Sequence, residues 1–404
     1  MDGRCRVIRL LFPSPASRRF LPLLLLIAAA CGGSSNVESP PDDGETPVAG
    51  CLDGTLGAAP ALYRVCFPVR WNGDLVIYAH GYVGPRESLA LPDDRIGQVS
   101  ISSVVNGLGY AFATTSYRAN GLVAADAVED VAGLTEEIRR LYRPDPTHTY
   151  VVGFSEGGLV AALAVERHAD LFAGALAACG PIGDFRRQID YFGDFRVVFD
   201  YFFPGVLPGS AVEIPDSVQA HWSDRYAPAV TGALGLNPPA SRQLLAVTGA
   251  PVDAADPQSI GETAVGILWY NIFATDDAQQ RLGGQPYENA GRVYSGSEDD
   301  AALNAGVARH AADAAARSNV DRLQTSGQLS IPLVTLHTTG DPIVPFLHES
   351  LYADKAAAAG ASGFLEQRAV TRYGHCVFQQ DELLGAFDVL VGRVTASTLR
   401  LARR

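Results

Sequence analysis

Lysine is almost absent: Lys355 is the only one in 404 residues, and 31 basic residues stand against 44 acidic ones, for a net charge of −13. A chain so short of basic residues is a poor candidate for nucleic-acid binding, which needs a basic surface. Its acidic excess favours solubility and says nothing about fold. Eight histidines show no His-Glu-x-x-His spacing and no Cys/His cluster, and no glycine loop has phosphate-binding spacing. Neither a metal nor a cofactor is therefore expected. There is no internal repeat, and no second apolar run is long enough to span a bilayer. What is plentiful is apolar: 47% hydrophobic with 19% charged residues is a globular composition with ample core, for one large domain or two ordinary ones.

The N-terminus reads as an export signal over residues 1–30. Arg4, Arg6, Arg9, Arg18 and Arg19 precede an apolar run from Phe20 to Ala30 that is too short for a membrane span. It ends Ala28-Ala29-Ala30-Cys31, which resembles the lipobox of bacterial lipoproteins, with Ala28 where that family usually has leucine. The resemblance implies lipidation at Cys31 and anchoring to the cell envelope, with membrane contact only through that anchor. An ordinary signal peptide, giving a periplasmic or secreted protein, is the competing reading. Residues 31–50, rich in Gly, Ser, Pro and acids, read as a flexible tether.

The stretch that organises the rest is Thr149-Tyr150-Val151-Val152-Gly153-Phe154-Ser155-Glu156-Gly157-Gly158, followed by a helical pattern to His168. A strand, a turn with no room for side chains at its flanks, and a helix form the Gly-x-Ser-x-Gly elbow. Ser155 must take a strained conformation at a sharp bend, and Gly153 and Gly157 keep Cβ atoms out of the adjoining strand and helix. The bend lifts the hydroxyl clear of the sheet and brings the helix N-terminus to any developing anion.

Apolar and β-branched runs occur at Tyr63–Val69, Asp74–Ala79, Tyr110–Thr115, Thr149–Gly153, Phe172–Ala178, Ile331–Leu336 and Glu366–Arg372. Helical patterns lie at Ala124–Tyr142, Glu156–His168 and Glu382–Arg400. Strands alternating with helices predict an α/β fold with a mostly parallel sheet covered on both faces. The alternation stops near Asp184 and resumes near Ile331. The chain therefore divides into a first core segment (51–184), a largely helical cap insertion (185–328) and a second core segment (329–404).

A serine nucleophile needs a base, an acid to orient that base, and donors for the oxyanion. Downstream of Ser155, the run from Ile331 ends in a turn presenting Asp341, and the run into Tyr373-Gly374 ends at His375. Upstream, Leu75 to Ala79 runs into His80-Gly81-Tyr82. With these motifs in this order, the chain resembles the α/β-hydrolase superfamily, serine esterases and lipases in particular, over roughly Tyr63 to Cys179 and Ile331 to the C-terminus. The resemblance implies Ser155 as nucleophile, His375 as general base then acid, Asp341 as the orienting carboxylate, and an oxyanion hole from the backbone N–H groups of Tyr82 and Glu156. Asp184 is the alternative acid. A turn cap for Asp341 and a structural role for His375 are the plainer readings, and His337, His348 and His310 are worse placed than His375. His80 is assigned the shaping of the oxyanion loop.

Export permits disulfides. Apart from Cys5 and Cys31, four cysteines remain, and Cys51, Cys66, Cys179 and Cys376 allow three pairings. The preferred one joins Cys51 to Cys66 across a short loop and Cys179 to Cys376 beside the histidine. His375-Cys376 also resembles the tannase and feruloyl-esterase group, where the cysteine after the histidine bonds to one directly before the serine. Phe154 occupies that second place here, which argues against the subfamily unless Cys179 substitutes as the partner.

Within the insertion, Tyr191 to Phe203 carries aromatics at helical spacing. They fit a lid over Ser155, although for most of them the cap's own core is the plainer assignment. The expected activity is exported serine-hydrolase cleavage of a small or polymeric carboxylic ester through an acyl-enzyme. The rival enzyme reading is an aminopeptidase-like peptidase whose cap acids, Glu298, Asp299 and Asp300, would grip a substrate amine. A binding protein on a retired hydrolase scaffold is the non-enzyme reading.

Overall fold

A computed structural model describes residues 47–57 and 61–401. Up to residue 46, the segments expected to form an export signal and a tether, with Cys31, lie outside the described residues.

The strands are β1 (Gly50–Leu56), β2 (Ala61–Phe67), β3 (Leu75–Ala79), β4 (Arg95–Ile96), β5 (Val99–Ser100), β6 (Ala111–Thr115), β7 (Thr149–Phe154), β8 (Gly174–Ala178), β9 (Leu333–Gly340) and β10 (Leu365–Tyr373). β4 and β5 make a separate small hairpin, and the other eight form one sheet in the order β1-β2-β6-β3-β7-β8-β9-β10. β2 pairs antiparallel with both β1 and β6, and every later pairing is parallel. From β3 the chain steps one way to β6 and then back past β3 to β7, so the carboxyl ends of β3 and β7 border the point where the winding reverses. Open α/β sheets bind ligands at such a point. With helices on both faces, this is the α/β-hydrolase fold.

Both faces of the sheet are covered, which is why its central strands read as continuous apolar runs rather than alternating ones. Leu75, Ile77 and Ala79 of β3 join the core beneath the helices Ala124–Leu141 and Glu156–Arg167. Val76 and Tyr78 point the other way, into a core shared with the helices Ile101–Gly107 and Gln380–Leu401. Ala124–Leu141 is helical because Val128, Val131, Leu134, Ile138 and Leu141 fall on one buried stripe. Arg139 and Arg140 in its last turn suit the negative end of the helix dipole.

β1 was not expected as a strand, since Gly50-Cys51-Leu52-Asp53-Gly54-Thr55-Leu56 has no apolar rhythm. Pairing supplies what propensity lacks. Cys51 stands directly opposite Cys66 and is bonded to it, and Asp53 opposite Arg64 accepts from its Nε at 2.7 Å. The disulfide is thus a cross-strand staple rather than the closure of a loop. β2 stops at Phe67 because Pro68 has no N–H for the ladder, and β9 runs on past the expected Leu336 to Gly340.

The segment between β8 and β9, here called the cap, is helical: Phe185–Phe202, Asp216–Ala220, Trp222–Tyr226, Ala227–Leu236, Pro238–Thr248, Ser259–Leu282, Asp300–Gly306 and Ala314–Asn319 are its principal helices. It has a core of its own, in which Phe195, Phe199 and Phe203 are buried with Trp222 and Tyr226. Among the described residues no helix is long and apolar enough to cross a membrane.

Candidate active site

The elbow takes the form its glycines dictate. Ser155 sits between β7 and the helix Glu156–Arg167 with φ 57° and ψ −124°, a strained conformation for a residue with a side chain. Its N–H is held by Ala178 O of β8 at 2.9 Å. A Cβ on Gly153 would lie 1.8 Å from Gly157 O, and one on Gly157 would lie 2.0 Å from Ala79 O. Neither position has space for any side chain.

Three side chains from three strand ends meet above the elbow. His375 Nε2 lies 2.9 Å from Ser155 Oγ, and His375 Nδ1 lies 2.7 Å from Asp341 Oδ2. A carboxylate only accepts, so Nδ1 carries the proton and Nε2 is left to accept from the serine hydroxyl. The other oxygen of Asp341, Oδ1, accepts from the N–H groups of Ile343 and Val344, both at 2.9 Å. Burial disfavours the charge on Asp341, yet His375 and His337 beside it hold its carboxyl at about 2, below the usual range. The pairing of β10 with β9 shifts register between Val370 and Tyr373, just before His375.

Asp184, the alternative acid, is engaged elsewhere. It caps the helix Phe185–Phe202 by accepting from Arg186 N and takes a second bond from Gln324 Nε2 at 2.8 Å. Burial works to raise its carboxyl, but these bonds leave it below its ordinary value.

Gly81 packs directly against the serine, since a Cβ there would touch Ser155 Cβ at 3.3 Å. The N–H of Tyr82 follows it, and that of Glu156 opens the elbow helix. Among the described residues neither donates to a protein acceptor. His80 stacks on Tyr117 at 4.0 Å and its Nδ1 lies 2.7 Å from Gly81 O, so it shapes this loop. The Glu156 side chain turns away from the serine to cap another helix, accepting from Val123 N at 3.1 Å. Burial pushes its carboxyl up to about 8, against the lowering effect of the bonds from Val123 and Ala124.

The disulfide Cys179–Cys376 lies beside the histidine, with Cys376 Sγ 3.5 Å from His375 Nε2. Cys179, His375 and Cys376 are the one group of potential metal ligands clustered among the described residues, and the two sulfurs are already bonded to each other.

A cleft of about 860 Å³, its open mouth included, rises from Ser155 into the cap. Its walls are mostly apolar, with Phe185, Phe192, Tyr270, Ile343 and Val344 among them. Sequence could not orient the cap aromatics, and their destinations differ. Tyr270 lines the cleft together with Ser155 and stacks on Phe192 at 5.1 Å, whereas Trp269 packs edge-on to Tyr82. Tyr191 donates to Pro342 O at 2.8 Å, tying the cap to the turn that carries Asp341. Glu298, Asp299 and Asp300 are not among the residues lining the cleft: Asp299 caps the helix Asp300–Gly306, and Asp300 is bonded to Ser297.

Residues 104–192, which include the elbow, match the model of the Prolyl oligopeptidase family. The protein described as "Putative esterase NocK" from Nocardia uniformis subsp. tsuyamanensis is 32% identical over 115 residues, which is 28% of this chain and 30% of that one. Among solved structures, Pyrococcus horikoshii acylaminoacyl peptidase is similar at 12% identity and a TM-score of 0.41, over 84% of this chain and 39% of that one. Feruloyl esterase B from Aspergillus oryzae is similar at 14% identity and a TM-score of 0.46, over 81% and 73%. The chain thus spans well under half the length of the first two of these relatives, and its likeness to the family is confined to the segment that builds the elbow.

Proposed function

We propose that this protein is an exported serine hydrolase that cleaves carboxylic esters through an acyl-enzyme intermediate. The observation that carries the reading is the unbroken chain Asp341–His375–Ser155, at 2.7 and 2.9 Å, on three strand ends at the base of an apolar cleft.

Ser155 Oγ attacks the ester carbonyl as His375 Nε2 takes its proton. The charge that develops on the carbonyl oxygen meets the N–H groups of Tyr82 and Glu156 and the N-terminus of the elbow helix. Asp341 stabilises the imidazolium and fixes its tautomer without itself taking the proton. His375 then protonates the departing alcohol, and water attacks the acyl-enzyme by the same route in reverse. Apolar walls suit an acyl or aromatic group better than a charged one. Export and lipid anchoring at Cys31 belong to the same proposal and rest on the N-terminal sequence.

The likeness of residues 104–192 to the Prolyl oligopeptidase family favours a second reading, a peptidase on the same triad. Against an aminopeptidase, the acids that would grip a substrate amine do not line the cleft. Fluorophosphonate labelling with peptide mapping, followed by a panel of p-nitrophenyl esters and aminoacyl-p-nitroanilides, tests both. Labelling at Ser155 with faster turnover of esters is expected. Faster turnover of anilides moves the assignment to peptides, and absence of labelling removes the nucleophile.

A further inference from the structure

One buried histidine has no part in the reaction as derived above. His337, on β9, is wholly buried, and both of its ring nitrogens face acceptors. Nε2 lies 2.9 Å from the carbonyl oxygen of Val344 and 3.5 Å from Asp341 Oδ2. Nδ1 lies 3.2 Å from Glu349 Oε1. Glu349, on the helix Leu347–Ala358, is fixed in turn, its Oε2 accepting from Thr335 Oγ1 and, at 2.7 Å, from Gln367 Nε2 on β10. A carbonyl oxygen cannot donate, so Nε2 carries a proton, and the carboxylate at Nδ1 favours a second one. A single carboxylate at one ring edge is common. Two carboxylates on opposite edges of one fully buried imidazole form a charge sandwich that needs a positive centre.

We propose that His337 is a positioning residue for the triad: as a buried imidazolium clamped by Glu349, it holds Asp341 in place and limits the carboxylate's hold on protonated His375. This rests on the serine-hydrolase reading above. The clamp acts through two contacts. One is the charge of His337 beside Asp341 Oδ2, the oxygen that also accepts from His375. The other is the bond to Val344 O, which steadies the residue whose own N–H, with that of Ile343, holds Asp341 Oδ1. The whole line runs Glu349, His337, Asp341, His375, Ser155, alternating acid and base up to the hydroxyl.

Burial opposes the charge on His337, but Asp341 and Glu349 together raise it to about 10, so it stays charged across the working range of a hydrolase. The groups facing this cluster from the packed elements are consistent with that state. Next to Glu349 on its helix, His348 is lowered to about 3 by burial and then by the charge of His337, and its Nδ1 accepts from Gly183 N and Asp184 N. From the cap, Tyr191 contributes a neutral hydroxyl, raised by burial and then by Asp341. His375 and the Gln367 amide face it from β10 and the turn that follows.

The test compares His337→Gln, Glu349→Gln, Asp341→Asn and the His337→Gln/Asp341→Asn double variant. Fluorophosphonate labelling rate of Ser155 is followed from pH 4 to 9, together with kcat and KM for p-nitrophenyl butyrate. His337→Gln is expected to lower the labelling rate and kcat by about 10- to 100-fold with little change in KM. With the far-side positive charge gone, Asp341 holds protonated His375 more tightly, so the acidic limb of both profiles moves to higher pH. Glu349→Gln removes the second carboxylate that keeps His337 charged, so that His337 gives up its proton and the limb shifts in the same direction by less, one negative charge having left with the positive one. His337→Gln adds nothing further in the Asp341→Asn background. A merely structural role would lower the melting temperature and leave the limb in place. The proposal is overturned if folded His337→Gln superposes on the wild-type profile, or if it costs the same factor with Asp341→Asn present. Should His337→Gln not fold, an unmoved limb in Glu349→Gln overturns it. A wild-type protein that does not label at Ser155 overturns the hydrolase reading itself, a result separate from any of these.

Discussion

Cys179 and Cys376 are bonded to each other across a sequence separation of 197, joining the residue after β8 to the residue after His375. Both take left-handed backbone angles, φ 48° and 54°. Ser155 N is itself held by Ala178 O, one residue before Cys179. Ser155 and His375 are therefore referenced to the same strand end.

Removing that bond should cost activity as well as stability. Cys179→Ala/Cys376→Ala is expected to lose about 2–5 kcal/mol of stability and, with His375 less well placed, up to about 100-fold in kcat. Cys51→Ala/Cys66→Ala, at the far edge of the sheet, should lower the melting temperature and leave kcat unchanged. Thermal melts and ester turnover of the two variants, side by side, check the contrast.

Ser155→Ala and Asp341→Asn should each lower kcat by about four orders of magnitude, the first by removing the nucleophile and the second by permitting the wrong tautomer of His375. KM should change little in either. An Asp341→Asn variant within tenfold of wild type would return Asp184 to consideration as the acid.

Gly157→Ala places a methyl group 2.0 Å from Ala79 O and 2.6 Å from His80 O. Backbone on both sides leaves nothing flexible to yield, so the elbow must open. We expect little soluble protein, or a destabilisation above about 3 kcal/mol, read from yield and denaturant midpoint. Gly385, with open space around it, should accept alanine without such loss.

Glu156 gives a pH-dependent prediction. Its carboxyl is raised by burial from 4.5 to about 8, so its contribution to stability is full below pH 4.5 and is lost as pH rises through about 8. Glu156→Gln keeps the acceptor for Val123 N and removes the ionisation. Its melting temperature should exceed wild type by an amount that grows from about pH 4.5 and levels off above about 8, reaching about 2–4 °C. Melts at pH 4, 6 and 9 are sufficient; a gap that shrinks with rising pH would contradict the sign.

Ser155 and Asp341 were legible because each ends a run whose β-branched and apolar residues declare a buried strand, whereas His375 was found from the distinctive turn after β10. A strand covered on both faces leaves that mark, and an edge strand does not. Hence β1 is recognised only through its partner β2, and the polar stretch Glu366-Gln367-Arg368 of β10 is visible only because Val370 and the turn after it are distinctive. His337 looked poorly placed for the opposite reason. Its partner Glu349 lies 12 residues on, in the helix Leu347–Ala358, and nothing in linear spacing says that this helix folds back over β9. Which way Trp269 and Tyr270 face was equally closed to sequence, because the cap helix Ser259–Leu282 buries residues on more than one side.

Ile343 and Val344 do two things with one short segment: their N–H groups seat Asp341, and their side chains form part of the cleft wall. On the proposed mechanism, a substrate that presses on this wall presses on the seat of the acid. Discrimination between acyl groups would then be written in turnover rather than in affinity: a misfit binds as tightly as a good substrate and still reacts slowly. Such an enzyme, short of a perfect fit, holds on and waits.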